Sequence, residues 1–262
     1  MEQIKWTTVS SWVDETLELF KYVDDDFDIL QISEKIKSGE IFGDRKINSA
    51  KRVFESIKAR YLKNDKENII SLSKILNSNI SAQEKSNYLL VFYLEYETLA
   101  RLFIETYIYD NFNGFSQKVF TQMDLDKFFE IVFENYSEML PKKLKNGVSD
   151  SSMKKVRNTL YKNIESFGWI DSSHNKISLK RPNITPEWFV FTLYLYFDGE
   201  CISAKEVYSS PIYKRFLLNE FDIEYLLTGA KLKGLIDRNK LGDINTITKH
   251  EKGILDYAAS YK

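Results

Sequence analysis

Cysteine is almost absent from this 262-residue chain. Cys201 stands alone, so no internal disulfide can form, and the usage fits a reducing compartment. Proline (4) and glycine (10) are scarce, which argues against long irregular loops. The two histidines are His174 and His250, far apart in sequence. A zinc site would need both of them plus carboxylates, so neither a metal nor a cofactor is expected. There is no nucleotide-binding glycine loop and no G-x-S-x-G elbow, and no carboxylate pair stands out. The chain is therefore read as no enzyme. No run reaches the roughly 18 uncharged apolar residues of a membrane span. "WFVFTLYLYF" (188–197) is too short, and 88–109 carries Glu95, Glu97, Arg101 and Glu105. The first residues, "MEQIKWTTVSSWVDE", lack the basic-then-apolar order of a signal peptide. A cytoplasmic protein with no membrane partner is expected.

Charge is plentiful but uneven. The net charge of −1 conceals two basic islands. Residues 46–63 hold 6 bases against 1 acid, and residues 141–182 hold 10 against 3. The flanking segments 1–45 and 64–140 are each six charges negative. A local field, more than net charge, attracts a polyanion. The islands could instead pair with the acidic segments on folding. Two islands, each on a helix, favour a functional reading.

Helical periodicity dominates the pattern. Trp12, Val13, Thr16, Leu17, Phe20 and Val23 predict a helix over 10–23. "DDDFD" (24–28) lacks the glycine and terminal glutamate of a calcium loop, so it reads as a turn capping a helix over 28–37. In "KINSAKRVFESIKARYL", Asn48 or Ser49 can cap a helix running to about Lys63. Its apolar stripe is Ile47, Ala50, Val53, Phe54, Ile57 and Tyr61, with Lys51, Arg52 and Lys58 off the stripe and Arg60 near its edge. A short helix over 68–77 follows. A long helix over 81–112 opens with a Ser81–Glu84 capping box. Its aromatics are interleaved with glutamates, so they read as core and not as base-stacking platforms. A further helix over 121–140 stops at Pro141.

The second island is the richer one. Ser149 or Ser151 caps a helix over 152–166, with Met153, Val156, Leu160, Ile164 and Phe167 on its apolar side. Lys154, Lys155, Arg157, Asn158 and Lys162 point elsewhere. Gly168 ends the helix, and "WID" and "KISLKR" form strands around the turn "SSHN". A basic helix followed by a small hairpin is the pattern of a winged helix, where the hairpin flanks the nucleic-acid backbone. Lys176, Lys180 and Arg181 add charge to that hairpin. A helix over 185–197, short helical pieces over 204–210 and 212–218, a helix over 220–236 and a hairpin over 235–250 repeat the pattern. There the candidate groove helix opens with Glu220, Asp222 and Glu224, which would repel phosphate.

Four segments in order resemble BrxA-like proteins: "INSAKRVFESIKARYL", "EKSNYLLVFYLEYETLARLFIETY", "DKFFEIVFENY" and "SSMKKVRNTLYKNIESFGWID". These are accessory proteins of bacterial BREX phage-exclusion systems. The resemblance covers roughly residues 46–197, leaving the first 30 residues and the segment after 198 outside it. It implies a helical, DNA-binding protein with helix-turn-helix character, partly similar to the antitermination factor NusB. It also implies work beside a methyltransferase and other BREX defence proteins.

The expectation is a mainly α protein: a helical bundle, partly NusB-like, with helix-turn-helix or winged-helix units carrying small β-hairpins. Residues 1–63 would form a three-helix unit of helix-turn-helix type and 64–140 a helical bundle. Residues 141–182 would form a basic winged-helix-like unit, and 183–262 a second one. The expected partner is double-stranded DNA, gripped by Lys51, Arg52, Lys58, Lys154, Lys155, Arg157, Lys162, Lys176, Lys180 and Arg181. The alternatives are an RNA-binding NusB-like protein and a protein-binding scaffold of a defence complex.

Overall fold

The computed structural model describes residues 3–112, 117–144, 148–171, 177–241 and 244–261. The protein is mainly helical, with small antiparallel β-hairpins. It opens with α1 (Val13–Phe20), α2 (Ile29–Ser38), α3 (Ile47–Arg60) and α4 (Lys66–Leu76). Next come α5 (Ala82–Tyr96), α6 (Thr98–Leu102), a π-helical segment (Phe103–Ile108) and α7 (Tyr109–Phe112). Strand β1 (Gln117–Phe120), α8 (Gln122–Asn135), α9 (Asp150–Ser166), β2 (Ile170–Asp171) and β3 (Ile177–Lys180) follow. The chain closes with α10 (Pro186–Tyr196), β4 (Cys201–Ser203), α11 (Ala204–Ser209), α12 (Glu220–Leu232), β5 (Ile236–Leu241), β6 (Ile244–Lys249) and α13 (Ile254–Ala259).

Local chemistry sets most boundaries. Asp28 accepts a hydrogen bond from the Leu30 amide at 2.9 Å and so caps α2. Gly39 ends that helix at φ 81°, where a Cβ would be strained. The Ser81–Glu84 capping box is present in both directions, at 3.0 and 3.2 Å. Thr185 caps α10 with Pro186 in its first turn.

Three expectations are corrected. Helix α1 starts at Val13, because Trp12 sits in the left-handed region at φ 57° with its ring under the Arg45 guanidinium, 5.3 Å away. Helix α3 starts at Ile47, so neither Asn48 nor Ser49 is its cap; the Lys46 carbonyl accepts from the Ser49 and Ala50 amides. The long helix over 81–112 is broken at Glu97, where ψ swings to 77°. There the Thr98 hydroxyl accepts the Lys5 amide at 2.7 Å, and this long-range contact overrides periodicity.

The chain divides into two compact units. One comprises residues 1–11, 90–182 and 214–217; the other comprises 12–89, 183–213 and 218–262. The first unit has an aromatic core in which Phe103 lies 4.9 Å from Phe128 and Tyr93 lies 4.8 Å from Phe167. Its three-stranded sheet runs β1-β3-β2. Ile170 pairs with Leu179, and Lys118 pairs with Leu179 from the other side. Strand β1 extends the expected β2–β3 hairpin into this three-stranded sheet.

In the second unit, the Ser73 hydroxyl donates to the Phe20 carbonyl at 3.1 Å, tying α4 to the end of α1. The buried Trp188 ring donates to the Asn87 carbonyl at 3.0 Å. This unit has its own sheet, β4-β6-β5. Both sheets thus share one order, and each belongs to the same succession of helix, strand, two helices and two strands.

A polar cluster locks the second sheet to its helices. Arg238 of β5 makes two hydrogen bonds to Glu224 of α12, at 2.8 and 2.9 Å, and one to the Tyr208 hydroxyl of α11 at 2.9 Å. The Arg238 guanidinium, followed by the Tyr208 hydroxyl, holds the Glu224 carboxyl down at about 2. A depressed carboxylate stabilises the fold above its unfolded pKa and loses that contribution as pH falls through its folded one. Glu224→Gln is therefore expected to lower stability at neutral pH by up to about 1 kcal/mol, a figure held down by the half-exposed carboxylate. Urea titrations across pH should show the gap to wild type closing between the ordinary value of 4.5 and about 2. A gap that persists unchanged at the acid end would contradict this role.

Candidate nucleic-acid interface

Helix α9 presents two opposite faces. Ser149 caps it by accepting from the Ser152 amide, as one of the two expected serines. Val156, Leu160 and Ile164 are buried, and the chain continues into buried Phe167 and Trp169. On the opposite side, Lys154, Asn158 and Lys162 recur at four-residue steps with Lys155 beside them, all exposed. Among the described residues, Lys154, Lys155 and Lys162 have no ion pair. Three ammonium groups on one solvated face form a row of mobile point charges suited to phosphate. The first turn also carries Asp150, which favours the helix N-terminus but adds one negative charge there.

Arg157 does not belong to that row. It pairs with Asp126 of α8, and its guanidinium lies 5.8 Å from the Phe129 ring. Here the folded chain does what the acidic segments permit: a base from the island is neutralised by an acid from 64–140. Arg157 instead helps wall a cleft of about 370 Å³ with Leu125, Asp150, Met153, Lys154 and Tyr161. On the hairpin, Lys180 is exposed and lies 3.1 Å from Asp171. Arg181 is exposed. Lys176, His174 and the turn "SSHN" lie outside the described residues.

The first island sits in the other unit, on α3. Ala50, Val53, Phe54, Ile57 and Tyr61 are buried as the stripe predicts, whereas Ile47 is 55 % exposed. Lys51 and Arg52 are exposed, and Lys58 is half-buried with its Nζ 5.9 Å from the Phe54 ring. Arg60 is only 3 % exposed. Of the three arginines that could read guanine in these helices, Arg60 is buried and Arg157 is paired, leaving Arg52. Neither fact was legible from spacing, because each depends on what packs beside the helix.

The remaining histidine is structural. His250 Nδ1 lies 2.9 Å from the Gly234 carbonyl and Nε2 lies 3.1 Å from Asp237. Among the described residues, no helix is long and apolar enough to cross a membrane.

A family model described as BrxA matches residues 3–192. The match takes in the first 30 residues, which the four resembling segments had left outside. No curated protein matches. Among solved structures, the chain is similar to an uncharacterized protein from Magnetospirillum magneticum, with 15% identity and a TM-score of 0.59. The likeness covers 82% of this chain and 98% of that one, and at this identity it shows a shared fold alone.

Proposed function

Since the chain belongs to the BrxA family of BREX phage-defence accessory proteins, we propose that it is a non-catalytic, cytoplasmic, double-stranded DNA-binding protein that grips mainly the phosphate backbone. The observation that carries this reading is the exposed lysine row of α9, set opposite the helix's buried stripe. The element order around each sheet supports reading residues 141–182 and residues 183–262 as winged-helix-like units. In the first of them α9 is the groove helix and β2–β3 the wing. Residues 1–63 are read as a three-helix unit of helix-turn-helix type and 64–140 as a bundle of partly NusB-like character. Other BREX proteins are the natural protein partners.

Weak sequence preference is part of the proposal. Lysines act as point charges, while bidentate base reading favours arginine. The decisive assay is fluorescence anisotropy with a labelled random duplex, competed by unlabelled duplex or structured RNA. Duplex should bind and be displaced by other duplexes within about a hundredfold of one another, below the roughly thousandfold preference of specific readers. Preferential displacement by RNA would favour the NusB-like alternative. No binding of either at low salt would leave the scaffold reading.

A further inference from the structure

Helix α12 carries an apolar stripe that nothing in its own unit covers. Phe221 is 86 % exposed, Tyr225 76 % and Leu232 84 %. With Thr228, which is also exposed, they recur at steps of four, three and four, along one face. The other face is core: Ile223, Leu226, Leu227 and Ala230 are buried. Two aromatics and a leucine at this exposure form a patch, not the scattered apolar residues any surface has. Beside it, a groove of about 630 Å³ runs between Thr228 and Leu232 of α12 and Arg238–Lys240 of β5. The patch is therefore part of a continuous surface formed by helix and hairpin.

The charges around the stripe are ordered. Glu220, Asp222 and Glu224 occupy the N-terminal half of α12, and Lys231 and Lys233 its C-terminal end. Phosphate would meet the acids first, so nucleic acid is a poor occupant of this face. A second α12 laid antiparallel is a good one. Phe221 then faces Leu232 of the other copy, and Tyr225 faces its Thr228. Glu220 on one flank then lies within a helical turn of the other copy's Lys231 on the same flank. A parallel arrangement would set acids against acids.

We propose that this face is a twofold interface in which α12 packs antiparallel against α12 of a second copy of the chain. A two-fold interface must be self-complementary, and the acid-to-base order of α12 meets that condition. Area is sufficient. Each large aromatic carries about 150–250 Å². Two per copy with Leu232 bring the pair near the roughly 1,000 Å² that a specific interface needs. The proposal does not depend on DNA binding, since no α9 residue enters it.

Sedimentation velocity on the full chain tests it. A dimer is expected to accumulate as concentration rises through about 1–100 μM. Phe221→Glu should leave the protein monomeric over that range, with circular dichroism and melting unchanged, since the residue is exposed. Glu220→Lys and Lys231→Glu should each weaken the dimer several-fold. The double variant Glu220→Lys/Lys231→Glu should restore it, because each swapped charge again meets its opposite across the twofold axis. A wild-type chain that stays at 30.8 kDa throughout would overturn the proposal, even if the face later proved to bind another protein. So would a Phe221→Glu variant that dimerises like wild type.

Discussion

Replacing Lys154, Lys155 and Lys162 together with alanine is expected to weaken duplex binding by roughly a hundredfold at about 0.1 M salt. Each ammonium that neutralises a phosphate releases condensed counterions, and that release is the driving force lost with the side chain. All three residues are exposed and face away from the buried stripe of Val156, Leu160 and Ile164. Stability should therefore stay within about 0.5 kcal/mol of wild type. Arg157 is left in place deliberately. Its removal would strip Asp126 of its partner and confuse lost binding with lost packing. The matching change of Lys51, Arg52 and Lys58 on α3 should cost less, since α4 and not a hairpin follows that helix and Lys58 is already half-buried against Phe54. Filter binding or anisotropy on both folded variants measures the difference. The reverse ranking would move the main site to α3.

Trp169→Ala should be the most destabilising single change near the site, at about 3–5 kcal/mol. The ring is completely buried and lies edge-on to Phe216 at a centroid distance of 6.5 Å. Trp169 also joins α9 to the wing. Its amide donates to the Ile164 carbonyl at 3.3 Å, and its carbonyl accepts the Lys180 amide at 2.8 Å. Truncation leaves a cavity where the helix turns into β2, so the register between lysine row and hairpin should loosen as stability falls. Urea unfolding gives the energy, and duplex affinity under conditions where the variant remains folded gives the positional part. A loss below about 1 kcal/mol would mean that the site repacks, and that Trp169 does not fix the wing.

The helical part of the fold was legible because its signals are local. The α9 stripe repeats over four turns, and the caps at Asp28, Ser81 and Ser149 are single polar side chains next to the amides they satisfy. Strand β1 was not legible. It has four residues, and its partner β3 lies about sixty residues away, with Gln117 opposite Lys180. Strand β4 is shorter still and pairs with β6 across α11 and α12. The interruption after Tyr96 was hidden for a related reason, since buried residues continue through the π-helical segment and mask the change of period.

The candidate site divides in the same way. That residues 141–182 carry an excess of base, and that Lys154, Lys155 and Lys162 leave the apolar stripe, follows from spacing alone. That Arg157 turns to Asp126 and Arg60 is buried depends on α8 and on the packing of α3, which no local pattern encodes. Lysine and arginine were interchangeable in the charge count and are not in the structure. The exposed stripe of α12 was also missed. Its helix alternates buried and exposed apolar residues on opposite faces, which reads from sequence as a helix that is apolar on most sides.

If the α9 face binds duplex through its phosphates, affinity must depend steeply on salt. For wild type, log affinity should fall linearly with log salt, with a slope of about −3 to −5 if the three lysines and one or two hairpin cations each neutralise a phosphate. The Lys154/Lys155/Lys162 alanine variant should have a slope shallower by about 2.7. A wild-type affinity that does not respond to salt, or a variant with the same slope as wild type, would mean that the α9 lysines do not hold the duplex by its phosphates.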